Sequence, residues 1–271
     1  MKWLVTPLVL LAALPLYAQN ITKLDVKGYY PQFSPDGKQI LLTSSKFTGL
    51  KILNLENKQL RSLTDVEGAG YEPVFEDGKV IFTNKKLKSV NEVDLFSGKQ
   101  HVLQNSKLPP ALFKSKQIGI SQSLKQAIHA RPNQDLSGII LTYSDQSEVE
   151  IAPQGKKEDY VWISLSPDRK KVLYKAAGYK AFVTDLNGKV LADLGDIEAP
   201  KWANDDQIVY MVTEDDHLSY TKADVFMMDW QKKQVKALTT ASSALAMYPS
   251  AYANKVVFNT PEGDLYLIEM E

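Results

Sequence analysis

A strand–turn–strand motif that recurs along the chain is the feature that most limits how it can fold. Its first copy holds the turn Ser34-Pro35-Asp36-Gly37-Lys38, followed by the mostly apolar residues 39–43. Proline presets φ, aspartate bonds its own backbone and glycine accepts a positive φ, so the segment predicts a tight turn between strands. Related copies begin near residues 72, 118, 163, 199 and 248, and the copy near 118 is degenerate. Six units at a spacing of roughly 40–48 residues are typical of propeller blades.

Each unit continues in the same way, and the continuation predicts a whole blade. A third strand, a polar turn such as Asn187-Gly188 and, in most units, a fourth strand follow the motif. Four short strands per unit, repeated radially, predict an all-β, six-bladed β-propeller. The last unit has only three strands, whereas a strand-like segment, residues 21–26, precedes the first unit. We therefore expect residues 21–26 to pair beside residues 264–268, which completes the last blade and leaves no open blade edge.

The turns of these units resemble those of a known family. Ser34-Pro35-Asp36-Gly37-Lys38 and Ser166-Pro167-Asp168, with Pro31 and Phe33 upstream of the first turn, look like the repeats of TolB-like β-propellers, relatives of the WD repeat. The resemblance implies a six-bladed propeller of the bacterial envelope that acts mainly by binding. It does not imply a role in the Tol system, because TolB itself has an α/β domain before its propeller and this sequence predicts none. Fold analogy alone does not establish function.

The N-terminal residues predict a secretory signal peptide. Lys2 is followed by an apolar stretch over residues 3–16 and then by the small residue Ala18, so we expect a signal peptide over residues 1–18 and a propeller domain over residues 19–271. The alternative is an uncleaved membrane anchor, but the apolar stretch is short for a span of about 20 residues. The sequence has no cysteine and therefore predicts neither a lipoprotein anchor nor a disulfide. We expect a periplasmic or secreted protein with no membrane span after signal removal.

Charge and motifs exclude several functions. The 32 lysines and arginines balance the 32 aspartates and glutamates, which argues against binding to nucleic acid and gives no reason to expect binding to anionic membrane surfaces. A Gly-x-Ser-x-Gly elbow, a phosphate-binding loop and a His-Glu-x-x-His motif are all absent from the sequence. The histidines, His101, His129 and His217, fall in three different units and do not suggest a catalytic triad. The sequence predicts no cofactor.

Aromatic residues recur where the units begin and form the main candidate site. They are Tyr29, Tyr30, Tyr71, Tyr160, Trp162 and Tyr248. The first strand of a propeller blade lines the central channel, so we expect at least three of these side chains to lie partly exposed around one channel mouth. Tyrosine and tryptophan suit a binding surface because they offer a large contact area at a low cost in entropy. The alternative is that they pack between adjacent blades.

A second candidate site is the polar segment 214–220, between the second and third strands of the fifth unit. Asp215, Asp216 and His217 are candidate ligands of a divalent cation. Adjacent residues seldom all point to one place, so a solvated loop is the favoured interpretation and no metal is predicted. The aspartates of the tight turns are likewise expected to cap those turns rather than to bind calcium.

Together these features favour an exported, non-enzymatic β-propeller that binds an envelope protein, a peptide or a glycan across one face. The alternative is a propeller-fold enzyme, of the kind represented by metal-dependent polysaccharide lyases or hydrolase-associated propellers, which some TolB-like propellers resemble. The scarcity of histidine and the lack of a nucleophile motif disfavour that alternative. The sequence carries no signal for a particular oligomeric state.

Overall fold

The computed structural model describes residues 19–87, 89–105, 126–133, 135–145, 147–176, 180–239 and 244–270. These residues form six antiparallel sheets, five with four strands and one with three. The segments predicted as the signal peptide and as the first strand of the third unit lie outside the described residues. Within the described part of the chain, no helix has the length and hydropathy needed to cross a membrane.

The strands follow one another blade by blade. After β1 (Gln19–Lys27), the first three blades contain β2 (Tyr29–Phe33), β3 (Gln39–Thr43), β4 (Thr48–Asn54), β5 (Leu60–Glu67), β6 (Val74–Glu76), β7 (Lys79–Asn84), β8 (Ser89–Asp94), β9 (Gln100–Asn105), β10 (Ala127–Pro132), β11 (Ile139–Tyr143) and β12 (Glu148–Ile151). The last three blades contain β13 (Val161–Leu165), β14 (Lys171–Ala176), β15 (Lys180–Asp185), β16 (Val190–Gly195), β17 (Glu198–Trp202), β18 (Gln207–Asp215), β19 (Tyr220–Asp229), β20 (Gln234–Ala237), β21 (Met247–Tyr252), β22 (Lys255–Asn259) and β23 (Asp264–Met270).

The three strands of blade 3 correspond to the second, third and fourth strands of the other blades. In blade 1, the residue after the third strand, Leu55, donates its N–H to the carbonyl oxygen of Lys38, just before the second strand, at 2.9 Å. In blade 3, the residue after β11, Ser144, likewise donates its N–H to the carbonyl oxygen of Gln126, just before β10, at 2.9 Å. β11 therefore corresponds to a third strand, and β10, which carries His129, is the second strand of its blade.

The predicted closure of the ring is confirmed. The last sheet has the order β1-β23-β22-β21, so the N-terminal strand is the outer strand of blade 6. Ile21 pairs with Ile268 and Leu24 pairs with Leu265. Lys23 and Lys27 also contact the carboxylate of Asp264, at 2.9 and 3.1 Å. The hydrogen bonds of β1 therefore cover the edge that the last three strands would otherwise expose.

The hydrophobic core is divided into layers between neighbouring blades. At the seam between blades 6 and 1, for example, Leu24, Val257 and Leu265 pack against Ile40 and Leu42. Similar clusters fill the spaces between blades 1 and 2, 3 and 4, 4 and 5, and 5 and 6. A single four-stranded sheet cannot bury both of its faces, so each blade depends on its neighbours for stability.

The turn aspartates cap their own turns in the two Ser-Pro-Asp motifs. Asp36 Oδ1 accepts hydrogen bonds from Ser34 Oγ and from the N–H of Lys38, at 2.6 and 3.1 Å. Asp168 accepts the equivalent bonds, and Lys171 Nζ also contacts it at 2.8 Å. Burial alone would raise the pKa of Asp168, but the hydrogen bonds from Lys171 and Ser166 outweigh it and lower the pKa to about 2. These carboxylates are thus engaged in holding the turns.

Candidate functional site

The two faces of the propeller are defined by the direction of the strands. First and second strands are antiparallel, as the pairing of Tyr29 with Thr43 shows, so first strands begin where second strands end. We call this end of the propeller the upper face. It carries the starts of the first strands and the turns between second and third strands. The opposite, lower face carries the turns between third and fourth strands.

A β-bulge reorients the backbone near the start of the first strands. In blade 6 the register shifts between Met247 and Ser250, and Tyr248 inside the bulge has a φ of 52°. Bulky residues rarely adopt a positive φ, and bulges are known to redirect side chains beside functional sites. The residues with a positive φ at the equivalent positions of the other described first strands are Tyr30, Glu72, Trp162 and Ala199.

A proline follows the residue with the positive φ in four of the five described positions. Pro31, Pro73, Pro200 and Pro249 each follow the residue with the positive φ in their own blade. Proline has no N–H to contribute to a β-ladder and is tolerated within sheets mainly at edges and bulges. The X-Pro dipeptide is therefore a sequence signal of the positive φ in these four blades, whereas Trp162 adopts it before Ile163.

Five aromatic rings form a continuous row on the upper face, which we call the aromatic arc. In order they are Tyr71, Phe47, Tyr30, Tyr248 and Trp162. The ring centroids of successive members lie 5.6, 4.4, 4.4 and 6.2 Å apart, all within contact range for aromatic pairs. Tyr71 is 51% exposed, and the other four are partly buried. The arc thus runs through blades 2, 1, 6 and 4.

The six aromatic residues predicted from the sequence divide into two groups. Tyr30, Tyr71, Trp162 and Tyr248 belong to the aromatic arc. Tyr29 lies outside it, and its hydroxyl donates to the carbonyl oxygen of Pro261 at 3.2 Å. Tyr160 is fully buried beside Tyr174, so its predicted place at the channel mouth is wrong. Its ring fills the layer between blades 3 and 4, where burying the ring stabilises the fold more than exposing it at the channel mouth would.

A cavity opens at the start of the first strand of blade 5, where an alanine replaces the aromatic residue found in blades 4 and 6. Ala199 occupies the position that Tyr248 and Trp162 hold in their blades, and its small side chain leaves a space beside these two residues. The cavity has a volume of about 360 Å³. Its lining residues are Trp162, Lys175, Asp196, Glu198, Ala199, Met211, Tyr220 and Tyr248. We call it the blade 5 cavity.

A second, smaller cavity adjoins the other end of the aromatic arc. It has a volume of about 270 Å³ and lies between the upper-face turns of blades 1 and 2. Phe47 and Tyr71 form part of its wall, together with Gly68 and Lys85. We call it the blade 1–2 cavity, and the arc therefore connects two concave regions.

Charged groups in the central channel lie within reach of the arc. Lys201 of blade 5 extends across the channel, and its Nζ lies 3.5 Å from the carbonyl oxygen of Pro31 in blade 1. Burial lowers the pKa of Lys201 to about 8, and Glu72 opposes that effect. Burial likewise raises the pKa of Glu72, against the influence of Lys201. Glu72 is accessible to water although protein surrounds it on most sides, as expected of a side chain in a channel.

The candidate metal ligands lie at the tip of a long hairpin and do not converge. The ladder between β18 and β19 extends to the pairing of Asp215 with Tyr220, so the ends of the predicted loop belong to strands and residues 216–219 form the turn. Asp215 Oδ1 accepts from the N–H of His217 at 2.9 Å, and Asp216 Oδ1 accepts from the N–H of Ser219 at 2.8 Å. The side chain of His217 is 99% exposed. Among the described residues, no three metal-binding side chains are grouped together.

Among the aromatic residues of the site, Phe47 was not predicted from the sequence, and Tyr220 was predicted only as the end of the polar segment 214–220. Phe47 and Tyr220 lie at or beside upper-face turns between second and third strands, rather than at the start of a unit. The aromatic residues of those turns are the signal that would have identified them, because the turns share a face with the starts of the first strands.

Comparisons with known proteins identify the fold. No family model and no curated protein matches the sequence. A putative TolB from Agrobacterium tumefaciens is 14% identical, with a TM-score of 0.55 over 93% of this chain and 97% of that one. A virginiamycin B lyase from Staphylococcus aureus is 13% identical, with a TM-score of 0.53 over 94% of this chain and 100% of that one. The WD40 β-propeller domain of Doa1 is 10% identical, with a TM-score of 0.50 over 94% and 98% of the two chains.

These likenesses extend over nearly the full length of the chain and agree with the blade order described above. Structural similarity at such low identities shows the architecture alone and leaves the activity to be argued from the site. The chain therefore has a TolB-like, six-bladed β-propeller fold.

Proposed function

We propose that this chain is an exported binding protein whose ligand is an extended peptide segment of another protein, held along the aromatic arc. The observation that supports the proposal is the arc itself, five rings in mutual contact on one face, with Tyr71 half exposed. Aromatic rings held by a rigid scaffold contribute contact area without losing much side-chain entropy on binding.

The shape of the arc favours a peptide over a glycan. A flat sugar ring is best met by rings that share a plane, whereas successive rings of the arc are tilted by 86°, 27°, 48° and 20°. The two cavities at its ends suit side chains that project from an extended backbone. A peptide can place differently shaped side chains on differently tilted rings, which a repeating glycan cannot do.

The proposed role is binding without catalysis. His101, His129 and His217 belong to β9, β10 and the β18–β19 turn, which are parts of three different blades. A catalytic triad needs its histidine within hydrogen-bond reach of a nucleophile and an orienting acid. The described side chains that line the arc and its two cavities are mainly aromatic rings, carboxylates and lysines, which supports a binding role.

Replacing Tyr71 by alanine should weaken peptide binding strongly and stability little. Peptides are first selected from a phage-displayed library on the wild-type protein, and their affinity is then measured by fluorescence anisotropy. We expect Tyr71→Ala to cost about 2 kcal/mol or more of binding energy, a loss of roughly thirtyfold in affinity. Since the side chain is half exposed, the melting temperature should fall by less than about 3 °C.

Phe96→Ala is the matched control for this experiment. Phe96 is 97% exposed and lies on the lower face, in the turn between β8 and β9 of the same blade as Tyr71. It should leave peptide affinity unchanged. Equal losses in the two variants, or selected glycans that bind where no peptide does, would contradict a peptide site on the arc.

Export is proposed from the apolar N-terminal pattern of residues 1–18. In a bacterial host, N-terminal sequencing of the protein released from the periplasm should give Gln19 as the first residue. Recovery of a chain beginning at Met1 from the membrane fraction is the result that would contradict export with cleavage.

A further inference from the structure

The walls of the blade 5 cavity carry unequal charge. Among the described residues that line it, Asp196 and Glu198 supply two carboxylates and Lys175 supplies one ammonium group. Lys175 Nζ lies 3.9 Å from Asp196 Oδ1, and the Lys175 side chain is only 6% exposed. Burial lowers the pKa of Lys175, while Asp196 and Glu198 oppose that effect, so both acids act on this lysine. The cavity is left with one negative charge more than its own lysine balances.

Both carboxylates retain capacity to accept hydrogen bonds. The side chain of Asp196 is 77% exposed. Glu198 Oε1 accepts a hydrogen bond from Thr213 Oγ1 at 3.1 Å, which fixes the direction of the carboxylate. An ionised carboxylate offers about four acceptor positions, so each of these groups has room for further donors. Guanidinium and ammonium groups make the strongest hydrogen bonds to such acceptors.

Aromatic rings complete the chemistry of the cavity. Trp162, Tyr220 and Tyr248 line it together with the two acids. A cation close to an aromatic face is attracted by the ring, and tryptophan is the most effective partner. Burial and then the nearby Glu198 raise the pKa of the Tyr220 phenol, which agrees with a negative potential in this region. Carboxylates and rings in one cavity favour a cationic group over a neutral or acidic one.

We infer that the blade 5 cavity binds the basic side chain, arginine or lysine, of the peptide that lies on the aromatic arc. The inference rests on the proposed function and specifies the chemistry of its ligand. Trp162 and Tyr248 belong both to the arc and to the cavity wall, so a peptide that leaves the arc at this end passes the cavity opening. Its basic side chain supplies the positive charge that the walls lack.

The inference is tested with two small probes, N-acetyl-arginine amide and its neutral isostere N-acetyl-citrulline amide. Both are titrated into the intact protein, and binding is followed by the NMR shift of the Trp162 indole N–H. We expect the arginine probe to bind at least about tenfold more tightly, because charge-assisted hydrogen bonds are lost in citrulline. Glu198→Gln should reduce the affinity for the arginine probe by about tenfold and leave the citrulline probe unaffected.

Two further variants should not lower the affinity for the arginine probe: one is expected to raise it and the other to leave it unchanged. Lys175→Met removes the cation from the cavity wall and should raise the affinity for the arginine probe severalfold. Glu262→Gln removes a carboxylate from the upper-face turn between β22 and β23, away from the cavity, and should change nothing. Each variant is compared only if its melting temperature stays within about 3 °C of the wild type. Asp196→Asn is measured beside Glu198→Gln, with the same expected result, and takes its place if Glu198→Gln fails this condition.

The outcomes separate this inference from the proposed function. Equal affinity for the two probes would overturn the basic-side-chain site, whereas Tyr71-dependent peptide binding would still support the proposed function. An arginine preference that survives both Glu198→Gln and Asp196→Asn would overturn the assignment to this cavity. A lower affinity for arginine in a folded Lys175→Met protein would also overturn it. Loss of the arginine preference in the acid variants, with a gain in Lys175→Met, supports it.

Discussion

Replacing Leu24 by alanine is expected to lower the free energy of unfolding by about 2–5 kcal/mol, the usual cost of truncating a buried leucine. Leu24 is 7% exposed and lies on β1, the strand that closes the ring. It pairs with Leu265 and packs in the cluster between blades 6 and 1. The variant leaves a void where the two ends of the chain are joined. A melting temperature lower by roughly 5–15 °C is expected for a domain of this size.

Ile21→Ala is the control for the Leu24 variant. Ile21 lies on the same strand and pairs with Ile268, but its side chain is 44% exposed. The backbone hydrogen bonds of β1 are the same in both variants, so only the buried contact differs. We expect a loss of less than about 1 kcal/mol for Ile21→Ala. Equal thermal melts for the two variants would show that β1 does not contribute to the core as described.

Gly37→Ala is expected to destabilise the protein by about 2–5 kcal/mol, through backbone strain and through a clash. Gly37 has a φ of +67°, which side-chain-bearing residues adopt only at a cost. A Cβ at this position would also lie 2.0 Å from Cδ1 of Tyr252, in blade 6. Tyr252 packs on Phe33 with ring centroids 6.2 Å apart, so its displacement would disturb the same seam. Chemical denaturation of the variant measures the combined cost.

Gly78→Ala isolates the backbone part of that cost. Gly78 belongs to the corresponding turn of blade 2 and has a φ of +77°, but no described atom lies within 4 Å of a Cβ built there. Its replacement should therefore cost only the strain of the positive φ, about 1–2 kcal/mol. The difference between the two variants is the energy of packing the blade 1 turn against blade 6. If both variants lose the same stability, the close approach of Tyr252 carries no energetic weight.

Local features of the sequence determined the architecture. Turn residues such as Pro35 and Gly37 act through their own backbone angles, and short apolar runs between such turns specify strands without reference to distant residues. The repeat then set the number of blades. The missing last strand and the segment 21–26 together predicted the closure, because an edge strand needs a partner and the chain supplies one. Each of these inferences depends on neighbours in sequence or on simple counting.

The composition of the site was decided by the tertiary structure. Tyr160 and Trp162 are two residues apart, yet Tyr160 is buried between blades, whereas Trp162 joins the arc. The positive φ at Trp162 reorients the chain between them, and the alternation of a regular strand does not predict that change. Phe47 entered the arc because a turn of blade 1 places it against Tyr30.

The cavities depend still more on contacts between blades. Ala199 produces a space only because Trp162 and Tyr248 come from the blades on either side of it. The acids and Lys175 share that space, although Lys175 lies more than 20 residues before Glu198 in the sequence. Local propensities establish the blades, but the register, the bulges and the ring closure bring residues from different blades together. Those long-range contacts are set by packing, which no single segment of the sequence contains.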